Sequence, residues 1–443
     1  MPCSTTYMSQ RAENSTSQWP AVSSGRRCKH LAIALLLLHL TLPAATLAGD
    51  LQDLLGTLYG GDGITLQRNT VAPQFSHHAH FTTDSLTELQ DVARSISDLS
   101  RPSVAASSGL RFDYDPVVGG FFRARSALGS LFLERPETLP EGYWAFGLSY
   151  GRTRYTTLEG RSLSNYELIL NHVGTGHSGI EPCLGGDPPF CYAFEKDVVA
   201  LKLNLDISAD YLLMTAHHGL TDRWEISAQL PVQRIAMRIT SVASIRNDPS
   251  KQYFDRTLHA FDPDNEDSPY DHVRGSHVGI GDMRLTSKYQ LFEHENGYSG
   301  ISLGIRLPTG DLRNLQGVPG VGSQVSWHTS RQFMQRHNLW VLRFLGGVDF
   351  NSGVVSATVL RHAYGVELNR KIGSIDAAIA LDFLNKRNLS VRDGPGARQS
   401  DLGLSLKLAY KKDRLLHFGV SVPQDQNGLR ADRTIVLGLE WLL

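Results

Sequence analysis

Few side chains in this 443-residue chain are spaced for reaction chemistry. His77, His78 and His80 sit together in SHHAH, and imidazole is a common metal ligand. No carboxylate or cysteine cluster stands at ligand spacing beside them, so a solvated linker explains them better. The acidic run Asp262 to Asp267 lacks the central glycine of a calcium loop and reads as a solvated loop. H-E-x-x-H does not occur, and G-x-S-x-G occurs at 147–151 and 300–304 only inside alternating strand stretches and not at a strand-to-helix turn, so no zinc-protease helix or nucleophile elbow is written here. A serine, a histidine and a carboxylate assembled across strands remain the one enzymatic alternative. The balance points away from an enzyme, and no motif asks for a cofactor or metal.

What does recur is a set of charges at alternate positions of apolar strands. The clearest case runs from His277 to Asp311. Asp282, Arg284, Thr286, Lys288 and Gln290 share one face. Met283, Leu285, Ser287, Tyr289 and Leu291 share the other. After the Asn296-Gly297 turn, Ile301, Leu303, Ile305 and Leu307 alternate with small residues and Arg306. In a water-soluble sandwich the charged face meets water. In a transmembrane barrel the apolar face meets lipid and the charged face lines the lumen.

The chain start favours the second reading. Arg26, Arg27 and Lys29 precede the apolar run Leu31 to Leu42, then Pro43 and small residues to Ala48. That is the pattern of a secretory signal, residues 1–48, and the run falls short of the ~20 residues of a spanning helix. Export predicts that Cys183 and Cys191 form a disulfide, worth roughly 2–3 kcal/mol and bracing only their own loop. The formal charge of −1 gives no electrostatic footprint for nucleic acid.

Residues 49–142 predict a small helical and irregular region. Leu51, Leu54, Leu55 and Leu58 mark one amphipathic helix between Asp50 and Gly60-Gly61. A second begins at Asp84 or Ser85 with a capping-box pattern and ends before Pro102. The region is too helical for barrel wall. It could plug a lumen, lie against the periplasmic mouth, or pair with a partner helix.

Residues 143–443 predict an all-β fold, an antiparallel transmembrane barrel of about 12 strands. The candidate strands run at about 143–156, 197–218, 223–240, 277–292, 297–308, 321–334, 339–350, 354–370, 372–386, 399–411, 413–422 and 431–443. Every even connection is short, and every odd one except the seventh is long. Outer-membrane barrels separate short periplasmic turns from longer outside loops in this way. Pro231 and Pro308 lack a ladder donor and are expected near strand ends or bulges at the outer rim. By alternation the lumen-facing set comprises Lys202, Asp206, Asp210, Glu225, Asp282, Arg284, Lys288, Arg306, Arg361, Glu367, Asp376, Asp382, Lys407, His417 and Glu440. Charges of both signs make either a polar pore lining or a cross-braced salt-bridge core.

The segments GIGDMRLTSKYQ (279–290), GIRLPTGD (304–311), HGLTDRWEISAQLP (218–231), LYGGDGITL (58–66) and LGSLFLERPETLPEGYWAFGLSYGRTRY (128–155) resemble one family. It is the "MetA-pathway of phenol degradation" transporter-like family of bacterial outer-membrane barrels, and the barrel resemblance covers about 143–443. The resemblance implies uptake of aromatic or hydrophobic compounds, and the signal, the alternating strands and the loop lengths lead to an expectation of small organic molecules passing by diffusion without cofactor. The expected partners are outer-membrane lipid, the barrel-assembly machinery and a small organic solute. A structural or adhesive barrel is the competing expectation.

Overall fold

Alternating strands of this kind must find partners on both edges, because an unpaired edge in lipid leaves backbone polar groups unsatisfied. The computed structural model describes residues 50–60, 64, 66, 109, 112–115, 120–123, 127–171, 197–246, 260–261, 269–352, 357–390, 397–411 and 413–443. The leader, the histidine cluster, the second expected helix, Cys183, Cys191 and the acidic run 262–267 lie outside the described residues.

Twelve strands form the wall: β1 Trp144–Leu158, β2 Val198–Thr221, β3 Trp224–Arg246, β4 Met283–His294, β5 Gly297–Leu307, β6 Gly322–Gln335, β7 Asn338–Asn351, β8 Ala357–Ile372, β9 Ile375–Asn388, β10 Arg398–Lys411, β11 Arg414–Pro423 and β12 Leu429–Leu442. Each pairs antiparallel with its sequence neighbours. β1 pairs with β2 through Trp144↔His218 and with β12 through Phe146↔Trp441, which closes the ring. The fold is a closed, antiparallel, 12-strand barrel.

Its two faces are inverted relative to a soluble protein. Lys288 and Lys407 are each 2 % exposed, whereas Leu303 is 54 % and Leu437 56 % exposed. Large apolar side chains stand outward around the ring, among them Leu285, Val325, Leu342, Val366, Leu381, Leu404 and Phe418. An apolar belt of this extent is far beyond the patches that soluble monomers expose, and it matches a surface solvated by lipid.

β2 and β3 are 24 and 23 residues long. About 9–11 residues suffice to cross a bilayer, so their distal halves rise beyond it. There the faces exchange polarity. Leu201, Leu203, Leu205, Ile207, Ile235, Met237 and Ile239 turn inward and are buried. Lys202, Asp206 and Asp210 turn outward, against the expectation that they face the lumen. Asp206 meets Arg154 at 3.1 Å, and Asp210 accepts from the Tyr150 hydroxyl at 2.8 Å. Alternation fixes two faces but not which is inside; where water replaces lipid, the apolar face turns in.

Three further expectations need correction. The helix at Leu51 to Leu58 is a short 3-10 element, Leu54–Gly60, with Leu58 extended and Tyr59 at φ 60°. Leu51, Leu54 and Leu58 are buried as expected. Their partners are the inward apolar residues of β2 and β3, and Gln52 N donates to Arg313 O at 2.9 Å. Tertiary contacts here override local propensity. The expected strand at 277–292 is broken at Gly281 and Asp282: Tyr270–Ile280 pairs with distal β3, and β4 with proximal β3. Pro231 lies within β3 rather than near its end, with Gly281 N donating to its carbonyl at 2.8 Å. Its missing donor therefore faces the break in the neighbouring strand, where no ladder bond is lost.

Candidate functional site

The barrel interior is the site, and its residues come from opposite walls and from one segment of the chain. Residues 127–140 are buried throughout. They cross the lumen in an irregular path, because several backbone donors find wall side chains instead of helical partners. Leu128 N donates to Asn369 at 3.0 Å, Gly129 N to Glu367 at 2.9 Å and Leu139 N to Glu225 at 2.8 Å. The Ser130 hydroxyl donates to Asp382 and accepts from Phe132 N at 3.0 Å. Leu131 and Phe132 press against Gly419, and Phe132 against Gly403. A side chain at either glycine would collide with them. At the short-turn end, the Thr138 hydroxyl donates to Asp222 O at 2.8 Å and Gly142 N to Gly219 O at 2.9 Å.

The wall charges reached by this segment are paired with one another. Lys288 lies 3.4 Å from Glu225, which also meets His217 at 3.2 Å. Arg343 meets Glu367 at 2.7 Å. Lys407 lies 3.7 Å from Glu440 and 3.4 Å from the carbonyl of Leu128. Gly109 N donates to Glu440 at 2.7 Å. Within the segment, burial is the main influence that pushes the Glu134 carboxyl above its ordinary range, with Lys288 opposing it. Its oxygen lies 3.7 Å from His328.

Glu225, Arg284, Lys288, Arg306, Glu367, Asp376, Asp382, Lys407 and Glu440 share the inward face of their strands, as do Arg361 and His417, and Asp282 stands in the break before β4. The geometry separates all of them but Asp376 into two groups. Glu225, Lys288, Glu367, Asp382, Lys407, His417 and Glu440 belong to the network around 127–140. Asp282, Arg284, Arg306 and Arg361 stand nearer the long-loop end. There Arg306 meets Asp282 at 2.7 Å, and Asp282 accepts from the amides of Gly310 and Val318 at 3.1 and 3.0 Å. These bonds fold the connection 308–321 against the wall. Sequence reasoning did not single out the partners Asn369, Ser130, Ser405, Arg343 and His217. For all but Ser130, which lies on no strand, inward polar positions were the available signal, since each follows the alternation.

One cluster sets a serine and a carboxylate on opposite nitrogens of a histidine, as a hydrolytic triad does. Ser149 Oγ lies 3.0 Å from His417 Nε2, and His417 Nδ1 lies 3.6 Å from Glu440. All three side chains are buried, and Glu440 is also bound to Gly109 and Lys407. The cluster therefore acts as part of the salt-bridge core. Among the described residues, no group of three or more His, Cys, Asp and Glu is placed to hold a metal ion.

These features define a membrane-spanning β-barrel whose lumen contains a segment of its own chain. No family model matches the chain, and no curated protein matches it. Among solved structures it is similar to an outer membrane channel from Pseudomonas putida F1, at 14 % identity and a TM-score of 0.38. That match covers 70 % of this chain and 98 % of the other. It is similar to the NanC porin at 9 % identity and TM-score 0.33, covering 53 % and 93 %. A Pseudomonas aeruginosa FadL homologue matches at 10 % identity and TM-score 0.29, covering 70 % and 90 %. None of these likenesses assigns an activity or a solute to this chain.

Proposed function

We propose that this chain is an outer-membrane channel, held closed by residues within its own 49–142 region, that passes small organic molecules by passive diffusion when that region shifts. The observation that carries the reading is the continuous burial of 127–140 among inward-facing charges. A solid structural barrel needs no separate segment to complete its core, whereas a closed channel does. The short-turn end, where Leu443 and Trp144 exchange backbone hydrogen bonds, is the periplasmic side. The long-loop end, with extended β2 and β3, faces outside. Membership of the MetA-pathway-like family rests on the motifs at 279–290, 304–311 and 218–231. Aromatic or hydrophobic solutes, outer-membrane lipid and the barrel-assembly machinery are the partners that go with it.

Liposome swelling with the full chain and with a chain beginning at Pro140 tests this reading. Slow solute entry with the first and fast entry with the second is expected. Equal, negligible entry with both, from protein folded in the bilayer, would move the reading to a structural barrel.

A further inference from the structure

Arg284 and Arg306 stand directly opposite each other on β4 and β5, both facing inward. Like charges in such a pair repel, so this arrangement calls for anionic company. Asp282 supplies part of it, accepting from Arg306 Nη1 at 2.7 Å; Val318 O accepts from the same nitrogen at 3.0 Å. Nε and Nη2 of Arg306 are buried and without a hydrogen-bond partner, on a side chain only 5 % exposed. Those two nitrogens form one edge of the guanidinium, the edge that takes both oxygens of a carboxylate side by side.

The edge opens on a small cleft lined by Arg284, Arg306, Gln324, Asp349 and Asn351 around Gly304 and Gly322. A Cβ at Gly322 would lie 3.0 Å from Arg306 Nε and 3.3 Å from Nη2, so only a glycine leaves the fork uncovered. The carboxylate already in the cleft is spoken for, because Asp349 meets Arg361 at 2.9 Å. Arg284 brings a second guanidinium to the same space.

We propose that this cleft binds the carboxylate of a small organic acid, with Nε and Nη2 of Arg306 taking its two oxygens. The proposal rests on the channel reading and narrows its solute class from small organic molecules to organic acids. None of the residues that line the cleft belongs to the segment 127–140, although Glu134 of that segment interacts electrostatically with Arg284.

Calorimetric titration of the full chain, folded in detergent, with benzoate and with the uncharged benzamide tests it. Saturable benzoate binding is expected, with benzamide weaker by about tenfold or more, the scale of a charge-assisted hydrogen bond. Arg306→Lys keeps a cation for Asp282 but replaces the fork with a point charge. Gly322→Ala covers the fork and leaves the ion pair in place. Both variants, checked for folding by their migration in unheated gels, are expected to lose benzoate affinity by a similar factor. Equal binding of benzamide, unchanged affinity in the two folded variants, or no benzoate binding at millimolar concentration would overturn the proposal. Titration requires no flux, so those results leave the channel reading standing, and a barrel that binds benzoate but passes nothing refutes only the channel.

Discussion

Phe132→Ala is expected to loosen the closed state without unfolding the barrel. The Phe132 ring is buried and seated over two wall glycines; a Cβ at Gly403 would come within 2.6 Å of it and one at Gly419 within 2.9 Å. Truncating a well-packed phenylalanine costs roughly 3–5 kcal/mol. The ladder bonds of β10 and β11 do not involve Phe132, so the loss falls mainly on the seated segment. At about 1.4 kcal/mol per factor of ten, even the lower figure raises the unseated fraction roughly a hundredfold. Single-channel recording in planar bilayers reads this as a rise in open time. Gly419→Ala attacks the same contact from the wall, because its methyl would lie 2.5 Å from Leu131, and should act in the same direction. Open times unchanged in both variants, with the barrels folded by gel migration, would refute the claim that this packing holds the lumen closed.

Other consequences follow from the same geometry. Glu225→Gln leaves Lys288 buried without its counter-charge; breaking such a pair costs roughly 3–5 kcal/mol, read as a lower thermal midpoint in detergent. Leu404→Arg places a charge on the outward apolar belt and should cost roughly 2–4 kcal/mol of folding into liposomes, whereas the outward Lys202→Leu should change folding by no more than about 0.5 kcal/mol. Asp311 lies in the 308–321 connection, where the Asn314 side chain and then the amides of Arg313 and Asn314 hold its carboxyl below the ordinary 3.8. A depressed folded value stabilises the connection above 3.8 and is lost as pH falls through it. Pepsin should therefore cleave within 308–321 increasingly as pH drops below 3.8, and Asp311→Asn should abolish that dependence. The group is largely exposed, so the change is modest.

The wall was legible because a period of two survives in most strands, less cleanly at 321–334 and 339–350. Leu402, Leu404, Leu406 and Leu408 against Gly403, Ser405 and Lys407 give two faces from sequence alone, and the alternating connections give their pairing order. Alternation does not say where lipid ends, which is why Lys202 and Asp206 were placed on the wrong face. That boundary depends on strand length beyond the bilayer, and β2 and β3 overshoot it. The segment 127–140 carried no periodic signal, since its order comes from Glu225, Glu367, Asn369 and Asp382 on separate strands. The helix expected at Leu51 failed for the same reason: its leucines serve a shared core with β2 and β3 and not an apolar stripe on one helix. The fork at Arg306 was visible only as one inward charge, because its open edge depends on Gly322 across the ladder.

The most direct measurement is single-channel conductance of the chain beginning at residue 49, compared with one beginning at Pro140. The account predicts rare, brief openings in the longer chain and sustained, larger steps in the shorter one. Equal conductance in both, or silence in a shorter chain that has folded into the bilayer, would contradict it.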